Sequence, residues 1–261
     1  MFEQEKNHFL KEFNEIGYVF RDSGFSKETI AELRKAVMEC VQLEAEGKQS
    51  DVYKEYGLLL CSAYYGDKYP VFFEVFENET LFNPIDWILD KWNITYLYSC
   101  ASIAPKSKII TSSIHSDMIR YIPDCNVGVG VVICLDDYTE DNGATWILPK
   151  SHLNPQKPDE EYFYKNAIRF IAKAGTVCYF HQNLWHAAGQ NNSDAWRSSL
   201  LLGMCRPWLK QRIDIPKFLS HIDTSKLSDN TLQKLGFFSV PPGNFEEYFV
   251  KEKRTYTQPF V

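Results

Sequence analysis

Three side chains in this sequence combine the types and the spacing that could hold one metal ion: His115, Asp117 and His186. His115 and Asp117 stand two residues apart in His115-Ser116-Asp117, a spacing that on an extended strand, or its continuation, turns the imidazole and the carboxylate to one face. Alone, His-x-Asp is a weak signal: a chain with six histidines meets it by chance, and the aspartate suits a turn or a helix cap equally well. Its weight comes from His186, in Leu184-Trp185-His186-Ala187-Ala188. A hairpin with its loop over Gln190-Asn191-Asn192-Ser193 would set His186 opposite Arg197, with both side chains facing one cavity. A histidine beside a partly buried arginine is unfavourable unless the guanidinium grips a carboxylate, and Arg197-x-Ser199 adds a hydroxyl on the same face. Two imidazoles and one carboxylate, the facial triad of non-haem iron chemistry, leave three cis positions open. A 2-oxoacid chelates two of them, O2 takes the third, and Arg197 is placed to bind a distal carboxylate.

Strands must position these groups, and the sequence supplies them in its middle. From Asn93 to about Met204, β-branched and aromatic runs alternate with turn signals: Ile94–Ala104, Lys108–Ser112, Val127–Leu135, Thr145–Leu148, Ile168–Ala172, Thr176–Phe180, Ala187–Gln190 and Ser198–Arg206. Short strands without regular intervening helices predict an antiparallel sandwich or barrel. Before them, Gln4 to Glu44 reads as two helices around a short strand near Ile16–Val19, with Ser26 as the N-cap of the second. Residues 45–92 are mixed, with helices expected at Tyr69–Glu77 and at Pro84–Trp92, the latter starting on its proline. After Pro207 the tail reads as partly helical, at Pro216–Leu219 and Ser228–Leu235.

Composition narrows the partners. A net charge of −6 without a long Lys/Arg run excludes an electrostatic footprint for nucleic acid or an anionic membrane, leaving a small-molecule substrate. Seven cysteines, an odd number with no Cys-x-x-Cys pair and several in apolar runs, read as reduced core residues. Val127–Leu135, the longest apolar stretch, is about half of what a membrane helix needs. Met1–Asn7 shows no signal-peptide pattern, so the expected location is cytoplasmic.

Taken in order, these segments resemble the phytanoyl-CoA dioxygenase family of Fe(II)/2-oxoglutarate-dependent oxygenases. The match is carried by His115-Ser116-Asp117, by Cys134 to Thr145, by Leu148-Pro149-Lys150-Ser151-His152, by Gly175-Thr176-Val177, and by His186 and Arg197. Phe13 to Val19 and the helix after it are similar to the family's opening segment, so the resemblance spans roughly residues 9 to 206. It implies a mainly β fold with flanking helices, a double-stranded β-helix (jelly roll, cupin-like) with iron at the open mouth. The expected organisation is one oxygenase domain over 1–261: N-terminal helices to about 92, the jelly-roll core over about 93–206, and an extension over 207–261. The resemblance also implies the roles. His115, Asp117 and His186 bind Fe(II), and Arg197, helped by Ser199 and Thr145, holds the cosubstrate 2-oxoglutarate. O2 then oxidises a C–H bond, with release of succinate and CO2.

The chain departs from the family in three places. Pro149-Lys150-Ser151-His152 stands where the family has Pro-Gly-Ser-His, Ala188 stands where some members carry a hydroxyl, and no cosubstrate residue is identifiable between Thr95 and Lys108. Other uses of the same residues remain. A metal-dependent hydrolase needs similar ligands, against which Arg197 argues, and a jelly roll can persist as a non-catalytic binding protein. His152 and Asp136-Asp137 suit structural turns, and His181 falls on the face opposite His186. Asp117 occupies the position that halogenating relatives leave to a small residue, which favours hydroxylation. Substrate contacts are expected from residues 45–92 and the loop after His152, including Tyr64, Tyr65, Tyr162, Phe163 and Tyr164.

Overall fold

The computed structural model describes residues 2–45, 58–62, 65–108, 112–118 and 120–249. Helix α1 (Phe2–Ile16), strand β1 (Tyr18–Asp22) and helix α2 (Lys27–Ala45) open the chain in the order expected. Gly17 turns α1 into β1 at a φ of +90°, and a Cβ there would lie 2.4 Å from His152 Nδ1, so both backbone and space demand glycine. Ser26 caps α2, its Oγ accepting from Thr29 N at 3.1 Å. Strand β2 (Leu58–Ser62) lies in the stretch whose sequence is mixed. The helix expected over Tyr69–Glu77 is a short α3 (Val71–Glu74) continued by a 3-10 turn over Val75–Glu77.

Helix α4 (Glu79–Leu89) starts earlier than its proline suggests. Asn78 is the cap, its side chain accepting from Leu81 N at 3.0 Å, which leaves Pro84 inside the helix. The proline removes one helical hydrogen bond. Burial of Leu81, Phe82, Ile85, Ile88 and Leu89 on the same helix outweighs that loss.

The remaining elements are β3 (Ile94–Ile103), β4 (Gly128–Cys134), β5 (Trp146–Ile147), α5 (Glu160–Asn166), β6 (Ile168–Arg169), β7 (Thr176–His181), β8 (His186–Ala187), β9 (Arg197–Cys205), α6 (Ile215–Phe218), α7 (Asp229–Leu235) and α8 (Phe245–Phe249). Two antiparallel sheets result, ordered β1-β7-β4-β9-β3-β2 and β6-β5-β8. They face one another as a jelly roll. The strands of the small sheet are shorter than predicted because the flanking backbone bonds elsewhere: Leu148 N donates to Trp185 O, and Ala172 exchanges two bonds with Tyr138. Of the strand expected at Lys108–Ser112, residues 109–111 lie outside the described residues, and Lys108 is not in a strand.

Alternation along the large sheet sorts its residues. Tyr98, Cys100, Val129, Val131, Ile133, Val177, Tyr179, Leu200, Leu202 and Met204 enter a core shared with α1, α2 and α4, anchored by Phe9, Phe13, Leu33 and Phe72. Their neighbours Leu97, Ser99, Ala101, Gly130, Cys178, Phe180, Ser199 and Leu201 face the space between the sheets. Buried Lys234 on α7 ties the tail to the entrance of β3, bonding Asp86 at 2.6 Å and Asn93 Oδ1 at 3.2 Å. Cys40, Cys100, Cys134, Cys178 and Cys205 are buried and Cys125 is half-buried, and none of these six is in a disulfide, as their spacing implied.

Two stability predictions follow from local strain and burial. Lys150 takes the left-handed conformation (φ +64°) in the turn where the resembling family has glycine. Lys150→Gly should raise the unfolding free energy by about 0.5–1 kcal/mol, the relief of strain exceeding the extra chain entropy, as read from urea denaturation. His181 packs beside Phe13 and, at 5.0 Å between ring centroids, beside His152. Burial first, and His152 second, push its pKa down to about 4. The unfolded chain therefore takes up this proton first: the contribution of neutral His181 is complete above about pH 6.5 and is lost as pH falls towards 4. His181→Phe should flatten the fall in stability across that window by up to ~1.4 kcal/mol per pH unit; an unchanged slope would contradict the assignment.

Candidate metal centre and its cavity

His115 and His186 are placed by a single isolated bridge. Each backbone N–H donates to the other's carbonyl, at 3.0 and 2.9 Å, which sets the two rings side by side with centroids 4.3 Å apart. Both Nδ1 atoms meet backbone carbonyls, Ser113 O at 2.8 Å and Leu184 O at 2.9 Å. A carbonyl only accepts, so each Nδ1 carries the proton and each Nε2 presents a lone pair. Those lone pairs converge on Asp117 Oδ1, 4.0 Å from His115 and 3.8 Å from His186. Burial, then the neighbouring His186 ring, hold the His115 pKa below its ordinary value and keep it neutral. One ligand atom from each of the three residues lies within 4.8 Å of the others, a donor set suited to a divalent first-row ion.

Asp117 reaches this point from a bend, not from a strand. The turn is held by Met118 N donating to Gln182 O at 3.0 Å and by Ser116 Oγ donating to Met118 O at 3.2 Å. The expected hairpin between His186 and Arg197 is also absent. His186 pairs with Ile147 on β5 in the small sheet, whereas Arg197 pairs with Ile103 on β3 in the large one. Asn191 is used instead to knit the intervening loop, through Ser107 O, Ile103 O and Ala195 O. The two side chains nevertheless meet, because the sheets face each other across a cavity of about 260 Å3 lined by the triad, Arg197, Ser199 and Thr145.

Arg197 is 5% exposed, its Nε has no hydrogen-bond partner, and its guanidinium lies 4.2 Å from the centroid of the Tyr138 ring. The described residues provide it no carboxylate. A buried cation with an open donor is matched by an anion bound in the cavity. Tyr138, a residue the sequence reasoning missed, is buried so deeply that its pKa is pushed up to about 12. Its signal was the sequence position directly after Asp136-Asp137. Asp136 accepts from Arg34 and from Ser198 N, and Asp137 from Lys173 and Ala174 N, so these aspartates brace the strand ends as expected. Ser199 Oγ donates to Ala101 O at 3.3 Å, and Ala188 lines the cavity without a hydroxyl. On β3 the alternating cavity-facing set is Leu97, Ser99, Ala101 and Ile103, of which only Ser99 offers a polar side chain.

His152 has the structural role read from its turn: Nε2 bonds Asn14 O at 3.0 Å, away from the triad. Of the aromatic residues proposed for substrate contact, the described ones do not line the cavity. Phe163 is a core residue beside Ile114 and Leu148, Tyr65 packs on the main core, and Tyr162 and Tyr164 are exposed; Tyr64 lies outside the described residues. The far end of the cavity is instead lined by Tyr96, Gln182, Gly203 and Arg212.

Comparison with known proteins agrees with this architecture. The sequence profile described as phytanoyl-CoA dioxygenase (PhyH) matches residues 13–199. "Uncharacterized protein Rv1501" of Mycobacterium tuberculosis (strain ATCC 25618 / H37Rv) is 31% identical over 193 residues, 72% of this chain and 71% of that protein. Among solved structures, EvdMO1 superposes with a TM-score of 0.62 at 20% identity over 77% of this chain, which spans half of that one. The epimerase SnoN, in complex with Fe3+, alpha ketoglutarate and nogalamycin RO, superposes with a TM-score of 0.63 at 13% identity, covering 87% of this chain and 93% of its own. At those identities the structural likeness concerns the fold. With the profile covering most of its length, the chain belongs to the phytanoyl-CoA dioxygenase family of Fe(II)/2-oxoglutarate-dependent oxygenases.

Proposed function

We propose that this oxygenase hydroxylates a C–H bond of a small-molecule substrate, with Fe(II) held by His115, Asp117 and His186 and 2-oxoglutarate held through its distal carboxylate by Arg197. One observation carries the reading: a buried arginine without a carboxylate partner among the described residues shares a cavity with the only His/Asp cluster found in them. When bound, iron with 2-oxoglutarate and O2 supplies the oxidising power for an unactivated C–H bond, releasing succinate and CO2.

The chain's own residues bind, orient and exclude water. His115 and His186 would bind through Nε2, their orientation set by the carbonyls on Nδ1, while Asp117 supplies the one negative ligand. Arg197 is fixed in plane by the Tyr138 ring, so its fork is preorganised for a carboxylate. Ser199 and Thr145 bring hydroxyls to the same cavity. Ile147, Phe170, Phe180 and Leu184 form apolar walls that keep water from the reacting carbon.

Asp117→Ala should abolish substrate-dependent succinate formation, and retention of activity would contradict its role as a ligand. Arg197→Ala removes a charge-assisted contact of about 1.5–3 kcal/mol, so the apparent requirement for 2-oxoglutarate should rise by roughly ten- to a hundredfold, with little change in that for iron. A product carrying one atom from labelled O2 is the outcome expected of hydroxylation; an isomer of unchanged mass would refute it.

A further inference from the structure

The end of the cavity remote from Arg197 has its own construction. Tyr96 and Leu97, consecutive on β3, both line the cavity at an irregularity of the strand. The register of β3 against β9 shifts there, between Thr95 and Leu97, so Tyr96 sits at a bulge with its carbonyl free of the ladder. Arg212 N donates to that carbonyl at 3.0 Å. The preceding residue locks the segment, with Gln211 Nε2 donating to Thr95 O at 2.7 Å and to Leu235 O at 3.1 Å. Arg212 is thereby held at the mouth, its guanidinium 5.9 Å from the centroid of the Tyr96 ring, and it forms no ion pair with any described residue. Buried Gln182, which also lines the cavity, lies flat against Gly128, where a Cβ would come within 2.3 Å of Oε1. Its Nε2 donates to Met204 O, which leaves Oε1 without a partner.

Charge then selects the ligand. Among the described residues, Asp117 is the only acidic residue lining the cavity, against Arg197 and Arg212. A divalent ion with Arg197 balances Asp117 with a dicarboxylate cosubstrate, so the charge of Arg212 is left over. A chain of net charge −6 thus keeps surplus positive charge at one cavity mouth.

We propose that this end of the cavity is the substrate site and that Arg212 holds an anionic group, a carboxylate or a phosphate ester, of the molecule that is oxidised. That the bound anion is the reacting molecule rests on the oxygenase reading above. Arg212 lies beyond residue 199, where the family profile ends, so the contact is contributed by the tail of this chain.

The test uses full-length protein loaded with Zn(II) and 2-oxoglutarate, so that Arg197 is occupied, and ligand-observed NMR. The probes are matched pairs: small carboxylic acids with their methyl esters, and phosphate monoesters with their free alcohols. Binding is expected from anionic members and not from their neutral counterparts, and the arm that binds identifies the group. Arg212→Gln should weaken binding by at least about tenfold and Arg212→Lys by less than about threefold, with melting temperature and 2-oxoglutarate affinity unchanged in both. Neutral counterparts binding as tightly, anions binding Arg212→Gln as well as wild type, or no anionic binder at all would overturn the proposal. Loss of 2-oxoglutarate binding in the wild-type protein would overturn the oxygenase reading instead.

Discussion

Two backbone hydrogen bonds, exchanged between His115 and His186, are the constraint on which the rest of the site depends. A pair that exchanges both bonds holds its Cα atoms about 5.5 Å apart, which lets two imidazoles aim their Nε2 atoms at one point. A slip of one residue would send either ring to the other face. The small sheet exists around this pair: β8 carries His186, β5 fixes its register through Ile147, and β6 supports β5 from the outer side. Asp117 needs no strand of its own, because the bond from Met118 N to Gln182 O brings its bend back over the same point.

Electrostatics follow from that geometry. Both imidazoles carry a proton on Nδ1, where a backbone carbonyl accepts it, so the cavity turns two Nε2 atoms towards Asp117 and holds a guanidinium further in. Leaving a cation buried and unpaired is costly, by about 3–5 kcal/mol where a partner has been removed, and the face of Tyr138 offsets part of that cost. No carboxylate among the described residues meets it, so the arrangement suits an anion from a bound molecule. Arg212 repeats the pattern at the other end, in the open, on a segment that α7 and the bulge in β3 hold in place.

The helices act at a distance. α1, α2 and α4 cover the outer face of the large sheet and bury the alternate residues of its strands, which leaves the inner face free for Arg197, Ser199 and Ser99. A packed outer layer makes the inner alternation rigid, because any strand that rotated would expose Leu200 or Leu202 to the cavity and move Arg197 into the core.

The metal-ligand candidates, the strand-rich middle and the helix–strand–helix opening were legible in the sequence because each rests on local information: residue type, period and capping chemistry. His115-x-Asp117, the alternation of β4 and β9, and the Ser26 cap are all of this kind. The long-range pairings were not. Asn191 could have sat in a hairpin loop, and only the facing of two sheets decided that His186 and Arg197 meet across a cavity instead of across a turn. Pro84 looked like a helix start until burial of the whole helix outweighed its missing donor. Tyr138 lay inside the Cys134–Thr145 segment without a role of its own, and Tyr96 and Arg212 carried no motif, since their positions come from a stacked ring, a bulge and a tail that returns to the sheet. The sequence by itself determined which groups could do chemistry, as donor atoms and periodicity are properties of the chain. Which of them share a cavity was decided by tertiary structure, because closing a jelly roll joins residues that no local hydrogen bond relates.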